Sequence, residues 1–153
     1  MLVAALALGF VTGLRCFTAP AAVSWAGHLG WLHLQGTPFA FMASTAAVAI
    51  TSVLAVGEYF ADQYPKTPSR VSPGPLFGRV GSGLLAGGCV GAAAGPSLYV
   101  GAGVGAVGAV LGAVTGYQVR GWLVQERKVK DLVVGLSEDV LCVALAYWIV
   151  SPA

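Results

Sequence analysis

The 153-residue chain predicts an all-α fold, a polytopic membrane helix bundle, and three observations predict it. Only 9% of its residues are charged, where soluble domains average about 25%. Its composition is 57% apolar, with a mean hydropathy of +0.81. What charge there is gathers: "EYFADQYPKTPSRVSPGPLFGR", residues 58–79, holds five of the fourteen charged residues and four of the eight prolines. Too little polarity remains to cover a water-facing exterior. The length suits a single integral membrane domain, residues 1–153, with four to six spans of roughly 20 residues each.

Apolar runs between breaks give about five transmembrane helices, at about 2–25, 39–61, 76–95, 99–122 and 132–150. The opening "MLVAALALGFVTGLRCF" has no basic leader, and Arg15 interrupts it where a cleavage site would fall. It therefore reads as a retained first helix rather than a signal peptide. Pro20 lies inside that helix and predicts either a kink or a break near Arg15. The connection "GHLGWLHLQGTP" carries two histidines, one tryptophan and no formal charge, which suits an interfacial loop. Residues 62–75 and 123–131 are the charged loops, and Ser72-Pro73-Gly74-Pro75 separates the second helix from the third. Lys66, Arg70 and Arg79 fall in one basic connection, and Arg120, Arg127, Lys128 and Lys130 in the other. The opposite side has no lysine or arginine. The positive-inside rule then places both basic loops in the cytoplasm, with the N-terminus inside and the C-terminus outside.

Glycines recur every three or four residues, at 83, 87, 91 and 95 and again at 101, 105, 108, 112 and 116. Such stripes let helix backbones approach closely. They would serve packing within the subunit or a homodimer interface, and a homo-oligomer, most simply a dimer, is expected. "LGFVTGLR" at 8–15 and "LGAVTGYQVR" at 111–120 agree at five of their first six positions. They suggest an inverted repeat that relates helices one and two to four and five, the arrangement of many transporters.

Six ionisable residues lie at membrane depth or at a helix end and form the candidate solute or ion pathway: Arg15, Glu138, Asp139, Glu58, Asp62 and Arg120. An ion pair between Arg15 and Glu138 or Asp139 is expected, and a second between Arg120 and Glu58. In the loop, Thr67, Ser69, Arg70 and Arg79 form a candidate anion contact, because guanidinium forks match phosphate oxygens. The three cysteines sit in no CxxC or Cys/His pattern, so no metal and no cofactor is expected. A net charge of +2 gives no electrostatic case for a nucleic-acid partner. Membrane lipids and an unidentified small solute or ion are the expected partners.

The run Glu58-x-x-Ala61-Asp62-x-x-Pro65-x-Thr67-Pro68-Ser69-Arg70-x-x-Pro73-Gly74-Pro75, with the early "GLRCF" and the late "LSEDVLCVALAYWIVS", resembles the domain of unknown function 4126 family. The resemblance covers most of the chain and implies a small multi-pass protein of the bacterial inner membrane. It carries over no functional residue. From the residues themselves, three functions compete. The first is a small transporter or channel with the buried charges along its path. The second is a structural or accessory membrane subunit. The third, a lipid-headgroup enzyme at the cytoplasmic face, lacks any His/Asp or Ser/His pair on one side of the membrane.

Overall fold

The computed structural model describes residues 1–62, 69, 71–95 and 97–152. Lys66, Thr67 and Arg70 of the charged loop lie outside them. The described residues form six α-helices and no strand: α1 Leu2–Leu14, α2 Thr18–His28, α3 Thr45–Ala61, α4 Pro73–Ala93, α5 Leu98–Gln125 and α6 Asp131–Val150, with a single 3-10 turn at Ala40–Ala43 before α3. Helices α4, α5 and α6 are long and apolar enough to cross a membrane. At 1.5 Å per residue, α1 and α2 are only about 20 Å and about 16 Å long, against a hydrocarbon layer of about 30 Å.

Local chemistry sets most boundaries. The Ser44 hydroxyl accepts from the Ala47 N–H at 3.1 Å and starts α3. Pro73 opens α4, where a missing N–H costs nothing. Gly95, at φ +129°, permits the turn into α5, because few other residues adopt that backbone.

The expected first helix, 2–25, is two helices. Had it continued, the Pro20 ring would have met the carbonyl of residue 16 and the ladder would have lost a donor. Instead the chain leaves the helix at Arg15, which is extended at φ −138°, ψ 112°. Pro20 then falls in the first turn of α2, where its missing N–H is tolerated.

Packing shows that α2 turns back. Glycines 9 and 13 of α1 face Gly105 and Gly112 of α5, so α1 and α5 run parallel. Glycines 83, 87 and 91 of α4 face Gly105, Gly101 and Ser97 in falling order, so α4 and α5 are antiparallel. Helix α2 runs against α3: Thr18 meets Tyr59, Trp25 meets Ser52 and His28 meets Ala43. The end of α3 lies toward the Arg120 end of α5, because Asp62 binds Arg120. Helices α1 and α2 therefore form a re-entrant hairpin. Its tip, Arg15–Phe17, lies level with the middle of α5.

Two expectations are corrected by this geometry. Leu2 sits at the end of the bundle opposite Arg120, so the N-terminal segment is not on the side of the basic connections. The two similar motifs, at 8–15 and 111–120, run in the same direction, which the in-plane two-fold of an inverted repeat does not allow. Both errors have one source: a helix that reverses half-way was read as a helix that crosses.

Helices α1, α4 and α5 meet at a glycine-lined junction. A methyl group on Gly105 would overlap the Gly83 carbonyl, and one on Gly112 would overlap that of Phe10. Gly103, one residue pair away on the same helix, faces open space. Gly105→Ala is expected to destabilise by about 1–3 kcal/mol through overpacking. Gly103→Ala should be neutral or stabilising by up to about 1 kcal/mol. Thermal unfolding of the two variants in detergent checks this; equal midpoints would contradict the packing.

Candidate functional site

The hairpin tip is held from both sides by charge. Chain reversal leaves the last carbonyls of α1 and the first N–H groups of α2 without helical partners. Arg79, from the second turn of α4, donates through Nη1 to the Gly13 and Leu14 carbonyls at 3.0 and 3.1 Å. Glu58, near the end of α3, accepts from the Cys16 N–H at 2.8 Å and the Phe17 N–H at 3.0 Å. A cation thus meets the negative end of one half-helix and an anion the positive end of the other, each the favourable sign for the helix dipole. The two side chains approach each other, with Arg79 Nη2 3.9 Å from Glu58 Oε1.

Arg15 itself is completely buried. Its Nη1 lies 2.9 Å from Asp62 Oδ2, its Nη2 pairs with Asp139 Oδ1, and Nη2 also donates to the Gly135 carbonyl at 3.3 Å. The guanidinium stands over the Tyr59 ring, 5.7 Å from its centroid. Asp62 is shared: its Oδ2 also accepts from Arg120 Nη1 at 2.6 Å. Arg120 grips Asp131 with both arms, at 2.8 and 2.9 Å, and lies 3.9 Å from Glu138. Three arginines and five acids make two adjacent sets: Glu58 with Arg79 at the tip backbone, and Arg15 and Arg120 with Asp62, Asp131, Glu138 and Asp139. Among the described residues, no group of three or more His, Cys, Asp or Glu side chains is placed to hold a metal ion; in this cluster arginines stand between the acids.

The structure thus brings Arg15 onto Asp139 directly, with Glu138 reached through Arg120. The expected Arg120–Glu58 pair does not form. Glu58 is spent on the Cys16 and Phe17 N–H groups at the start of α2, and its next-turn neighbour Asp62 takes Arg120. Arg79 lies inside α4 and is buried against carbonyls, not in the loop as an anion contact. Ser69 is exposed and uses its carbonyl to accept from the Ser72 N–H at 3.0 Å. Thr67 and Arg70 are outside the described residues. Sequence reasoning missed Asp131 and Tyr59. Asp131 opens α6, and an acid in a first turn reads as a helix-dipole partner before it reads as an arginine clamp.

Fold and site together define an all-helical protein with three helices able to cross a membrane, built around an ion-paired re-entrant hairpin. The chain belongs to the family described as Domain of unknown function (DUF4126), whose model matches residues 2–151. No curated protein and no solved structure matches it.

Removing one member of a buried ion pair leaves its partner uncompensated, a loss of roughly 3–5 kcal/mol. Arg15→Leu should therefore destabilise strongly in a detergent unfolding assay, because it strands Asp139 and leaves Asp62 to Arg120. Arg15→Leu combined with Asp139→Asn is expected to recover part of that loss, and adding Glu138→Leu should change little. An Arg15→Leu chain as stable as wild type would contradict the burial.

Proposed function

We propose that the chain is a small transporter or channel of the bacterial inner membrane, and that a small solute or ion passes the hairpin tip along Arg15, Asp139, Glu138, Asp62, Glu58 and Arg120. One observation carries the reading. Helical backbone stops and reverses half-way along the bundle, among ionised side chains. Irregular backbone at that depth is tolerated where protein buries it or where it lines a cavity, and ionisable groups inside a membrane mark ion and solute paths. Half-helix ends aimed at a central site are the usual way to bind a charged solute in such folds. The basic end, with Arg127, Lys128 and Lys130, faces the cytoplasm by the positive-inside rule. In that orientation Leu2 and Ser151 both face the periplasm.

A second reading is favoured by a different observation. Arg15 is wholly buried, and the cavity beside the hairpin, about 220 Å³ between α2, α3 and α6, is walled by apolar groups of Ala21, Trp25, Trp31, Val143 and Tyr147. A dry, ion-paired centre suits a structural or accessory subunit.

Reconstitution separates them. Liposomes carrying the protein are assayed with three probes: potassium chloride with a potential-sensitive dye, protons with an internal pH dye, and glycerol by light scattering. Transport predicts a rate above that of empty liposomes for one probe, and its loss in Asp139→Asn protein that remains folded. No flux with any probe would leave the accessory reading standing.

A further inference from the structure

Glu58 does something beyond pairing. Both of its carboxylate oxygens are taken by backbone N–H groups of a different element, at the positive end of the 11-residue α2. Charged groups are expensive at membrane depth, yet the chain spends a carboxylate here on groups that a free anion would equally satisfy. A further observation marks the place as a seat for negative charge. Arg79, only 8% exposed, stands beside the carboxylate. The ion pair also spans two helices, α3 and α4, and neither belongs to the hairpin that it closes.

We propose that Glu58 is a tethered anion that locks the hairpin tip, and that the seat it fills takes a small inorganic anion such as chloride when Glu58 is neutral. Without its charge the side chain is no longer held at the tip and leaves, and the Cys16 and Phe17 N–H groups and the Arg79 Nη2 are left facing the incoming ion, while Arg79 Nη1 stays on the Gly13 and Leu14 carbonyls. Glu58 is faced by Arg79 from α4 and by the Cys16 thiol from the tip. The other charges are engaged one turn further along α3: Arg15 from the tip, Asp139 and Glu138 from α6, and Arg120 from α5, around Asp62. Glu58 can therefore change charge without dismantling that second set. The proposal names a ligand class and a gate for the transport reading and rests on it for its purpose.

Cys16 is a built-in reporter. It is half-buried at the tip, with its Sγ 3.2 Å from Ser82 Oγ, whereas Cys89 and Cys142 are fully buried. Protein in liposomes is treated with the anionic reagent methanethiosulfonate ethylsulfonate, and modification is followed by intact mass. Glu58→Gln is expected to raise the Cys16 rate about tenfold or more, the change that about 1.4 kcal/mol in the opening equilibrium produces. Chloride in place of gluconate should slow the reaction in that variant. Glu58→Asp, which keeps the charge, should remain slow. Equal rates in wild type and Glu58→Gln would overturn the lock, and no chloride effect would overturn the seat. Labelling of Cys89 and Cys142 together with Cys16 would also overturn the proposal, because Glu58 would then hold the whole bundle. The readout needs no flux: a tip that opens in a chain that moves no probe sinks the transport reading alone, and flux with an unchanged Cys16 sinks the lock alone.

Discussion

Backbone groups at membrane depth must have partners, and the structure is arranged around meeting that demand at one chain reversal. Four carbonyls and four N–H groups lose their helical partners wherever a helix ends. In hydrocarbon each such group costs several kcal/mol if left alone. Residues Arg15–Phe17 end two helices at once. Arg79 answers the carbonyls and Glu58 the amides, while Arg15 is pinned by Asp62 and Asp139. These capping and pinning side chains come from three other helices, α3, α4 and α6, so the hairpin tip is fully partnered only with all three around it. A short, oily chain thereby fixes the relative depth of its helices with a few charges.

The glycines follow from the same constraint. A 13-residue helix cannot bury much apolar surface, and lipid offers no hydrophobic drive to hold it in place. Close backbone contact supplies the adhesion instead. Glycines 9 and 13 let α1 lie directly on α5, and Gly83, Gly87 and Gly91 bring α4 onto the same stretch. The residues that look like low-complexity filler are therefore the surface on which the re-entrant helix is mounted. Of the two roles open to these stripes, the contacts place them in packing within the subunit. The opposite flank, α2 with α3 and α6, is looser and aromatic, and holds the apolar cavity.

Much of this was legible in the sequence, and the part that was not has a physical reason. Composition and apolar runs located α4, α5 and α6 to within a few residues. The charged stretch at 58–79 proved to hold both caps of the hairpin, Glu58 and Arg79, at its two ends. Hydropathy, however, does not register direction: the run from Leu2 to Trp25 is equally apolar whether it crosses or reverses. Pro20 and Arg15 signalled a break, but not that the chain folds back. The wrong pairing of Arg120 has a related cause. Glu58 and Asp62 share a helix face at i and i+4, and only the position of the Cys16 and Phe17 amides decides which of them is left for an arginine.

The direction of α1 is the claim on which the hairpin, its caps and the placement of the N-terminal segment all depend, and double electron–electron resonance between spin labels reads it directly. Val3, Val100 and Val119 are all exposed on their helices, so each tolerates a label. Nineteen residues of α5 separate the last two by about 28 Å at 1.5 Å per residue. If α1 runs parallel to α5, the Val3–Val100 distance is the short one and Val3–Val119 is longer by a large part of that rise. A first helix that crosses the membrane from the basic end reverses the order, with Val3 close to Val119, and that result would contradict the re-entrant fold.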